Sequence, residues 1–548
     1  MWDYAICHAI LGDFMVATMT SRERNWCLAY AFFLVAVTTL PYILGYAVQD
    51  DEWHFTGFLF GVEDGNSYIA KMLLGSQGAW LFRTPYTSLQ QRGVVAFLPY
   101  LLLGKIAAGV ELHQQLVALY HLLRVIATPL AVLANYQFIS LFVRSERWRR
   151  WATVLATAGG GLGWLLVILG KSPLLGSLPL DFYSPETFGF LAFFGLPHLV
   201  LARALLLIGL VNYLRSPGSA RRGWIAGVCF LGLTLVQPLA VISAFAVIAI
   251  HQIVLFSVLL IRRRWRSWLP WFGVALRVVV IPLPMIIYLA IAFLRDPFLQ
   301  VWTTQNRILS PHPVHYAVGY GLLALPALLG GWRLVREGDN CGLLLVTWVL
   351  AFPVLAYAPH NLQRRLPDGV WVALVTLSAV GFAGWRLKET RLDRWIGWAV
   401  LILALPSSLM LVAGGFGVAL TPSEPSFRPA VEVEAIQWLS GEVEPGSLVM
   451  AAFESGNALP AWAPVRVVIG HGPESADLQT MSSFVGGFYD DEMSDEERID
   501  FIHDKDIGYV WRGPHERELG SWDPAGVDFL TLIYRQGDYE IYRVLHSP

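Results

Sequence analysis

The chain of 548 residues contains a succession of long apolar runs separated by short arginine-rich segments. A helix needs about 20 apolar residues to cross the roughly 30 Å hydrocarbon core of a bilayer. Twelve runs approach or exceed that length: residues 27–48, 94–110, 116–143, 151–169, 190–210, 224–236, 239–261, 271–294, 316–334, 341–358, 370–385 and 395–418. With 55% hydrophobic and only 15% charged residues, the sequence is typical of a polytopic α-helical membrane protein.

The arginine clusters orient these runs, because cytoplasmic loops of membrane proteins are enriched in Arg and Lys. The clusters predicted to be cytoplasmic are residues 22–24, 144–150, 215–222, 262–266, 333–336 and 386–394. The alternation breaks near the start of the chain, so either one early run is re-entrant or interfacial, or a later span is miscounted. The weakest run is 94–110, which Pro99, Gly104 and Lys105 interrupt. We therefore expect about eleven or thirteen crossings and an extracytoplasmic C-terminal region.

Three regions follow from the composition. Residues 1–26 form an N-terminal cytoplasmic or interfacial segment, and residues 27–420 form a transmembrane domain with a long polar loop at 49–93. After a Pro-rich linker at 421–425, the charge density of residues 421–548 rises to that of a soluble domain. Helical and strand patterns alternate there, and they predict a small α/β domain. Its elements are helices at 431–440 and 494–505, the latter opened by a Ser494–Glu497 capping box, strands at 448–452, 465–469 and 507–511, and a hairpin of 530–534 with 540–544.

Several classes of function are disfavoured. The net charge of −2 offers no basic field for nucleic acid. The four cysteines show no CxxC spacing and indicate neither a disulfide framework nor a zinc site. No P-loop and no Rossmann glycine pattern is present.

The polar loop at 49–93 concentrates carboxylates directly after the first apolar run. Asp64 suits a general base that takes the proton of an attacking hydroxyl, although it is equally suited to cap a helix from residue 65 to about 74. Asp50, Asp51 and Glu52 form a second acidic group. These three could hold a divalent metal such as Mg²⁺ or Mn²⁺, Asp51 or Glu52 could act as a second catalytic carboxylate, or the group could be a solvated helix end.

The segment from Asp64 to Met72, followed by Gly78-Ala79-Trp80-Leu81, resembles the first extracytoplasmic loop of GT-C glycosyltransferases. These polytopic enzymes use polyprenyl-phosphate-linked sugars. The resemblance, which is to the arabinose and mannose transferases of the class, implies that Asp64 is the catalytic carboxylate and that the fold is GT-C-like. Two positions depart from the pattern: Gly65 stands where an acidic residue is usual, and residues 90–93 replace a charged-Pro-Pro motif.

A lipid-phosphate donor needs cationic groups at the membrane surface. The segment from His360 to Arg365 is predicted to lie on the outer side, where basic residues are less expected. His360, Arg364 and Arg365 are therefore candidates for binding the donor phosphate. The other possibility is contact with lipid headgroups.

Other polar side chains are predicted to line a substrate groove: Tyr68, His198, Arg203, Trp302 and Gln305. Ionisable residues at membrane depth are costly and usually face a cavity, which singles out His198 and Arg203. His198 could equally be a helix-packing histidine. His471, in the loop 470–474 of the C-terminal region, is either an ordinary loop residue or part of a lid that contacts the acceptor.

The sequence thus predicts a membrane glycosyltransferase that moves a sugar from a polyprenyl-phosphate donor to a hydroxyl of a glycan, lipid or protein. Its partners are the lipid bilayer, the donor and the acceptor, and its location is a plasma membrane, with a bacterial inner membrane favoured. Two alternatives remain. One is a transporter or lipid flippase with His198 and Arg203 along its path, and the other is a non-catalytic scaffold of the cell envelope.

Overall fold

The computed structural model describes residues 19–217, 219–384 and 391–545. Residues 1–18 of the predicted N-terminal segment and residues 386–390 of the last arginine cluster lie outside the described residues. The chain divides into two compact units. We call the first the helical unit; it comprises the chain up to Leu40, Leu122–Tyr288 and Ile308–Gly414. The second, the mixed unit, comprises Pro41–His121, Leu289–Arg307 and the chain from Gly415 onward.

The helices are numbered in chain order. They are α1 Ser21–Val48, α2 Val62–Ser76, α3 Leu98–Gly104, α4 Leu112–Ser140, α5 Glu146–Ala158, α6 Gly163–Ile168, α7 Phe190–Gly195, α8 Pro197–Leu214, α9 Ala220–Val236, α10 Pro238–Ile261, α11 Leu269–Val280, α12 Leu283–Arg295, α13 Pro297–Gln305, α14 Val314–Glu337, α15 Gly342–Ala356, α16 Val370–Gly384, α17 Arg391–Ala404, α18 Pro406–Leu420, α19 Ala430–Glu442, α20 Phe453–Trp462, α21 Leu478–Phe488, α22 Asp495–Lys505 and α23 Pro514–Leu519. Short 3₁₀ turns lie at Leu180–Phe182, Trp265–Trp268 and Gln363–Arg365.

The predicted polytopic helical membrane fold is confirmed. Among the described residues, seven helical stretches are long and apolar enough to cross a bilayer, or eight if the bent pair α11–α12 is one span. They are α1, α4, α8, α10, α14, Gln363–Ala383 and Trp395–Leu420, and α15 is a shorter apolar helix. Many apolar side chains on these helices point outward, as lipid-facing residues do; Phe33 on α1 and Val354 on α15 are 63% and 73% exposed.

The number of long spans is smaller than the eleven or thirteen crossings expected from the sequence. Two predicted runs explain part of the difference. Within residues 94–110 only the seven-residue helix α3 forms. Residues 151–169 break between α5 and α6 at a run of glycines, where the Gly161 N–H donates to Asp181 Oδ1 at 2.6 Å rather than to a helical carbonyl.

The absence of a span at 94–110 also removes the conflict over orientation. In the helical unit, Arg149 Nη1 lies 2.7 Å from Glu23 Oε1. The hydroxyl of Tyr136, near the end of α4, donates to the same carboxylate oxygen at 2.7 Å. The arginine clusters at 22–24 and 144–150 therefore lie at the same end of this unit, as the positive-inside rule requires.

Small residues bring α14 and α16 together inside the helical unit. A Cβ atom on Gly330 would lie 1.9 Å from the Leu377 carbonyl oxygen, and one on Gly381 would lie 2.2 Å from that of Pro326. Only glycine permits this approach of two backbones, which is a usual way for membrane helices to pack.

The strands of the mixed unit are β1 Trp53–Phe55, β2 Phe427–Pro429, β3 Leu448–Met450, β4 Arg466–Val467, β5 Ile507–Arg512, β6 Leu530–Gln536 and β7 Tyr539–Val544. The last five form a sheet in the order β4-β3-β5-β7-β6. Strand β3 runs parallel to β4 and β5, whereas β7 runs antiparallel to β5 and β6. The predicted α/β elements are confirmed, including the capping box in which Ser494 and Glu497 open α22.

The loop at 49–93, predicted as part of the transmembrane domain, lies in the mixed unit. Strand β1, Trp53–Phe55, pairs antiparallel with β2, Phe427–Pro429, just after the predicted linker. The Val467 N–H donates to the Pro85 carbonyl at 2.8 Å. Apolar side chains of α2 and α20 share one core, which includes Ile69, Met72 and Leu459. The loop is thus built onto the C-terminal domain.

Candidate active site

Asp64 lies in the first turn of α2. The helix begins at Val62 and its N-cap is Gly61, so the interpretation of Asp64 as a helix cap is wrong. Exposed N–H groups at a helix start make this a favourable position for an acidic side chain. The Asp64 side chain is 57% exposed. It is therefore an accessible carboxylate on a rigid element.

Packing against Phe58 explains the glycine that follows. A Cβ atom on Gly65 would lie 2.6 Å from carbons of the Phe58 ring. Phe58 is buried in the core that α2 shares with the C-terminal domain. A side chain at position 65 would require the buried Phe58 ring or the start of α2 to move, so the departure from the GT-C pattern at this position has a steric cause.

His471 is the imidazole beside Asp64. Its Nε2 atom lies 3.3 Å from Asp64 Oδ1, and its side chain is only 5% exposed. The loop that carries it is held on both sides: the Gly472 N–H donates to Glu63 Oε1 at 2.6 Å, and Asn457 Nδ2 donates to the Gly470 carbonyl at 2.7 Å. His471 is thus a loop residue whose position beside Asp64 is fixed by hydrogen bonds of the loop.

A buried ion pair lies behind His471. Lys71 Nζ is 2.6 Å from Glu474 Oε1, with the lysine fully buried and the glutamate nearly so. Glu474 also accepts from the hydroxyls of Ser67 and Thr84, at 2.8 and 2.6 Å. His471 Nδ1 is 3.8 Å from Glu474 Oε1. Asp64, His471, Glu474 and Lys71 thus form one chain of charged and polar groups.

The charge on Glu474 follows from its neighbours. Burial alone would raise the pKa of this carboxyl, but the Lys71 ammonium, His471 and the hydrogen bonds from Lys71 and Thr84 lower it below the usual value. Glu474 therefore stays ionised in the interior. His471 Nε2 is within hydrogen-bond distance of Asp64 Oδ1, so the tautomer that carries its proton on Nε2 can donate to the Asp64 carboxylate. Nδ1 lies 3.8 Å from Glu474 Oε1, which is beyond hydrogen-bond distance.

Aromatic rings surround the buried lysine. Its ammonium lies 4.4 Å from the centre of the Phe97 ring and 5.6 Å from that of Tyr68. Tyr68, a predicted groove residue, stacks on Tyr100 with ring centres 4.8 Å apart. Cation–π contacts of this kind stabilise a desolvated ammonium. They fix the face of α2 that carries Ser67 and Lys71.

Two other predicted groove residues also lie in the mixed unit. Gln305, at the end of α13, donates through Nε2 to the carbonyls of Pro473 and Ser475 at 3.0 and 2.6 Å. It therefore supports the loop that carries His471. Trp302 packs among aromatic rings, with its centre 6.4 Å from that of Phe97.

The acidic group at 50–52 does not form the predicted metal site. Asp50 Oδ1 accepts from the backbone N–H groups of Glu52 and Trp53 at 2.9 and 2.8 Å and so shapes the turn into β1. Asp51 and Glu52 are exposed. Among the described residues, no group of three or more His, Cys, Asp or Glu side chains is arranged to hold a metal ion. The carboxylates here serve a turn and a solvated surface.

In the helical unit, Arg203 is an interior residue. It is 3% exposed, and its Nη2 donates to Asp368 Oδ1 at 2.8 Å and to the Pro185 carbonyl at 3.1 Å. The partner carboxylate offsets the cost of burying a guanidinium. His198 lies in the first turn of α8 and is half-buried. Arg203 therefore has a structural ion pair rather than an open groove around it.

The predicted phosphate-binding residues also lie in the helical unit, on the 3₁₀ turn before α16 and just ahead of it. The Arg364 guanidinium lies 4.6 Å from the centre of the Tyr183 ring. Arg365 Nε is 3.1 Å from Glu186 Oε1, and its side chain remains 35% exposed. His360 is exposed. The segment thus presents a partly exposed group of basic side chains.

Searches of solved structures relate this architecture to membrane glycosyltransferases. The oligosaccharyltransferase of Archaeoglobus fulgidus in its apo form is 13% identical, with a TM-score of 0.54 over 90% of this chain and 70% of that enzyme. The same enzyme tethered to an acceptor peptide with an NVT sequon gives a TM-score of 0.51, again at 13% identity, over 88% of this chain and 69% of that one. The chain has a GT-C-type fold.

A second solved structure extends the likeness. The mycobacterial arabinofuranosyltransferase AftD is 14% identical to this GT-C-type chain, with a TM-score of 0.54 over 97% of it. The chain spans only 40% of the length of AftD. No protein-family model matches the sequence, and no curated protein matches it.

The contacts of Lys71 and Glu474 were not predicted from the sequence, and His471 was predicted only as a loop residue or part of a lid. One signal was available: Asp64, Ser67 and Lys71 follow the i, i+3, i+7 spacing that places side chains on one face of a helix. A lysine on the same helix face as a proposed catalytic carboxylate requires a buried partner or a solvent path. The sequence could not show that the partner is Glu474, about 400 residues further along the chain.

Proposed function

We propose that this chain is an integral membrane glycosyltransferase that transfers a sugar from a polyprenyl-phosphate donor to a hydroxyl acceptor. The observation that supports it most is the accessible Asp64 carboxylate at the start of α2, with the His471 ring against one of its oxygens. The GT-C-type fold supports the same reaction class.

In the proposed reaction, the acceptor oxygen attacks the anomeric carbon of the donor sugar. The bond between that carbon and the phosphate oxygen breaks, and polyprenyl phosphate leaves with the bonding electrons. Asp64 takes the proton of the acceptor hydroxyl as the new glycosidic bond forms. His471 is a positioning residue, because its ring lies against one oxygen of the Asp64 carboxylate and orients that group.

The donor phosphate is assigned to Arg364, Arg365 and His360. A phosphate leaving group gains negative charge as the bond breaks, and guanidinium groups stabilise it through paired charge-assisted hydrogen bonds. The contacts with Tyr183 and Glu186 hold the two arginines while leaving part of each side chain accessible. Tyr68 and Trp302 are proposed to contact the sugar or the acceptor.

The proposed acceptor is a hydroxyl group of a glycan, a lipid or a protein. The solved neighbours are named for transfer to peptide in one case and for arabinofuranosyl transfer in the other. We further propose that the reaction occurs at the extracytoplasmic face, because the loop at 49–93 follows the first span after an arginine cluster that the positive-inside rule assigns to the cytoplasm. The membrane is proposed to be a bacterial inner membrane, for which the short basic loops and the low use of lysine are the support.

The test is transfer of radiolabelled sugar by purified full-length protein in nanodiscs, with a panel of polyprenyl-phosphate sugars and simple glycoside acceptors. Nucleotide sugars serve as the negative donor set. Donor-dependent product formation from a polyprenyl-phosphate sugar is the expected result. Turnover that survives in Asp64→Asn would move the base to Asp51 or Glu52, and turnover from nucleotide sugars alone would contradict the proposed donor.

A further inference from the structure

A cavity lined by both basic and aromatic side chains lies in the helical unit, at the end where the first two arginine clusters meet. Its volume is about 590 Å³, within the range of about 300–1,000 Å³ usual for small-molecule sites. The walls come from the start of α1, from α5 and from α17. The lining side chains that the argument uses are Arg22, Trp26, Glu146, Arg147, Arg150 and Trp398.

The ionisable side chains that line the cavity are mostly basic. Three of them are guanidinium groups and one is a carboxylate. Glu146 pairs with Arg150, and the Arg150 guanidinium lies 5.2 Å from the centre of the Trp26 ring. The Nε atom of Arg150 is buried and has no hydrogen-bond partner among the described residues. Neighbouring Arg149 does not line the cavity and pairs with Glu23.

The ligand chemistry follows from the side chains. Several guanidinium groups around one cavity suit a phosphate, whose oxygens accept bidentate hydrogen bonds. Indole rings prefer the level of lipid headgroups. The outer face of α17 beside the cavity is apolar and exposed: Trp398 and Ile402 are 60% and 68% exposed. A phosphate in the cavity would therefore have an apolar surface next to it that suits acyl chains.

We propose that this cavity binds a phosphate group, with the headgroup of an anionic membrane lipid as its source. The arginine clusters at this end are those that the positive-inside rule assigns to the cytoplasm, where anionic lipids attract basic segments. The site is independent of Asp64 and of the proposed transfer reaction. Its role is to fix the ends of α1, α5 and α17 at the membrane surface.

The test is native mass spectrometry of the purified full-length protein from a nonionic detergent. The probes are phosphatidylglycerol, phosphatidylcholine and inorganic phosphate, each titrated separately. The variants are Arg22→Gln combined with Arg147→Gln, the charge-retaining Arg147→Lys, and Arg24→Gln as a matched control, because Arg24 is on the same helix and does not line the cavity. Each variant is first checked for an unchanged melting temperature.

The expected result is tighter binding of phosphatidylglycerol than of phosphatidylcholine, a preference that the double variant weakens by about 20-fold. Arg147→Lys and Arg24→Gln retain it. If inorganic phosphate shows the same dependence on the arginines and the lipids do not, the phosphate site stands with a soluble source. The proposal is overturned if a folded double variant binds phosphatidylglycerol as tightly as the wild type does. If the double variant does not fold, the same comparison is made with Arg22→Gln alone.

Discussion

Removal of the Lys71 ammonium is the perturbation with the largest expected effect on the proposed active site. In Lys71→Met, the Glu474 carboxylate keeps its hydrogen bonds from Ser67 and Thr84. It loses the Lys71 ammonium, which among the described residues is the only cationic group within 3 Å of it. The side chain of Glu474 is 5% exposed, so water cannot replace the ammonium. The variant therefore contains a buried carboxylate without a partner charge.

The magnitude follows from that geometry. Breaking a buried ion pair by removing one partner costs about 3–5 kcal/mol. In a unit of this size each kilocalorie lowers the melting temperature by about 2–4 °C, so we expect a decrease on the order of 10 °C. Glu474→Gln leaves the ammonium of Lys71 buried alone and should cost a similar amount. The double variant removes both charges and should cost less than either single change.

The assay is thermal unfolding of the four proteins in detergent, followed by tryptophan fluorescence. Lys171→Met is the matched control, since Lys171 is exposed, and its melting temperature should not change. A coupling free energy of several kilocalories per mole supports the interpretation. Additive effects, within about 0.5 kcal/mol, would show that Lys71 and Glu474 do not interact as the structure has them.

Three further outcomes are expected. His471→Asn lowers kcat about tenfold or more and leaves the donor KM unchanged, because the imidazole positions Asp64 without touching the donor. Arg364→Gln and Arg365→Gln each raise the donor KM about tenfold, measured with a polyprenyl-phosphate sugar. Burial raises the pKa of Glu432 to about 7 from an ordinary 4.5, so the folded protein binds this proton more tightly. The free energy of unfolding of the protein should therefore fall by roughly 3 kcal/mol as the pH rises from 4.5 to 7. In thermal unfolding, Glu432→Gln should make this pH dependence flatter.

Each of these has a control and a contradicting result. His503→Asn, on an exposed position of α22, should leave kcat unchanged, and an equal loss in both histidine variants would refute the positioning role. Arg336→Gln is the exposed control for the two phosphate-binding arginines; a lower kcat with unaltered KM in the arginine variants would refute binding. For Glu432, the contradicting result is a wild-type stability that rises between pH 5 and 7 together with the same pH dependence in Glu432→Gln.

Local patterns predicted the α/β domain well. The alternation of apolar residues at 507–511 and 540–544 gave strands close to β5 and β7, and the Ser494–Glu497 spacing gave the start of α22. Such signals depend on a few neighbouring residues and on the period of a helix or strand. The approximate position of α2 was also predicted, although its start was placed three residues too late.

The composition of the candidate site could not be predicted in the same way. Asp64 and His471 are separated by about 400 residues, and only the packing of α2 on the C-terminal domain brings them together. Three-residue strands such as β1 and β2 carry too little pattern to reveal that packing. The predicted runs outnumber the long helical stretches among the described residues, in part because apolar composition alone does not show where a glycine run breaks a helix.

The most direct measurement is the turnover of Asp64→Asn against wild type at saturating donor, in nanodiscs, with donor binding measured on the same samples. Asp500→Asn is the control, because it makes the same substitution at an exposed position of α22. Loss of a general base should lower kcat by about 10²–10⁴-fold while donor affinity and the Asp500→Asn rate stay unchanged. A well-folded Asp64→Asn variant that transfers sugar at the wild-type rate would contradict the assignment of Asp64 as the base.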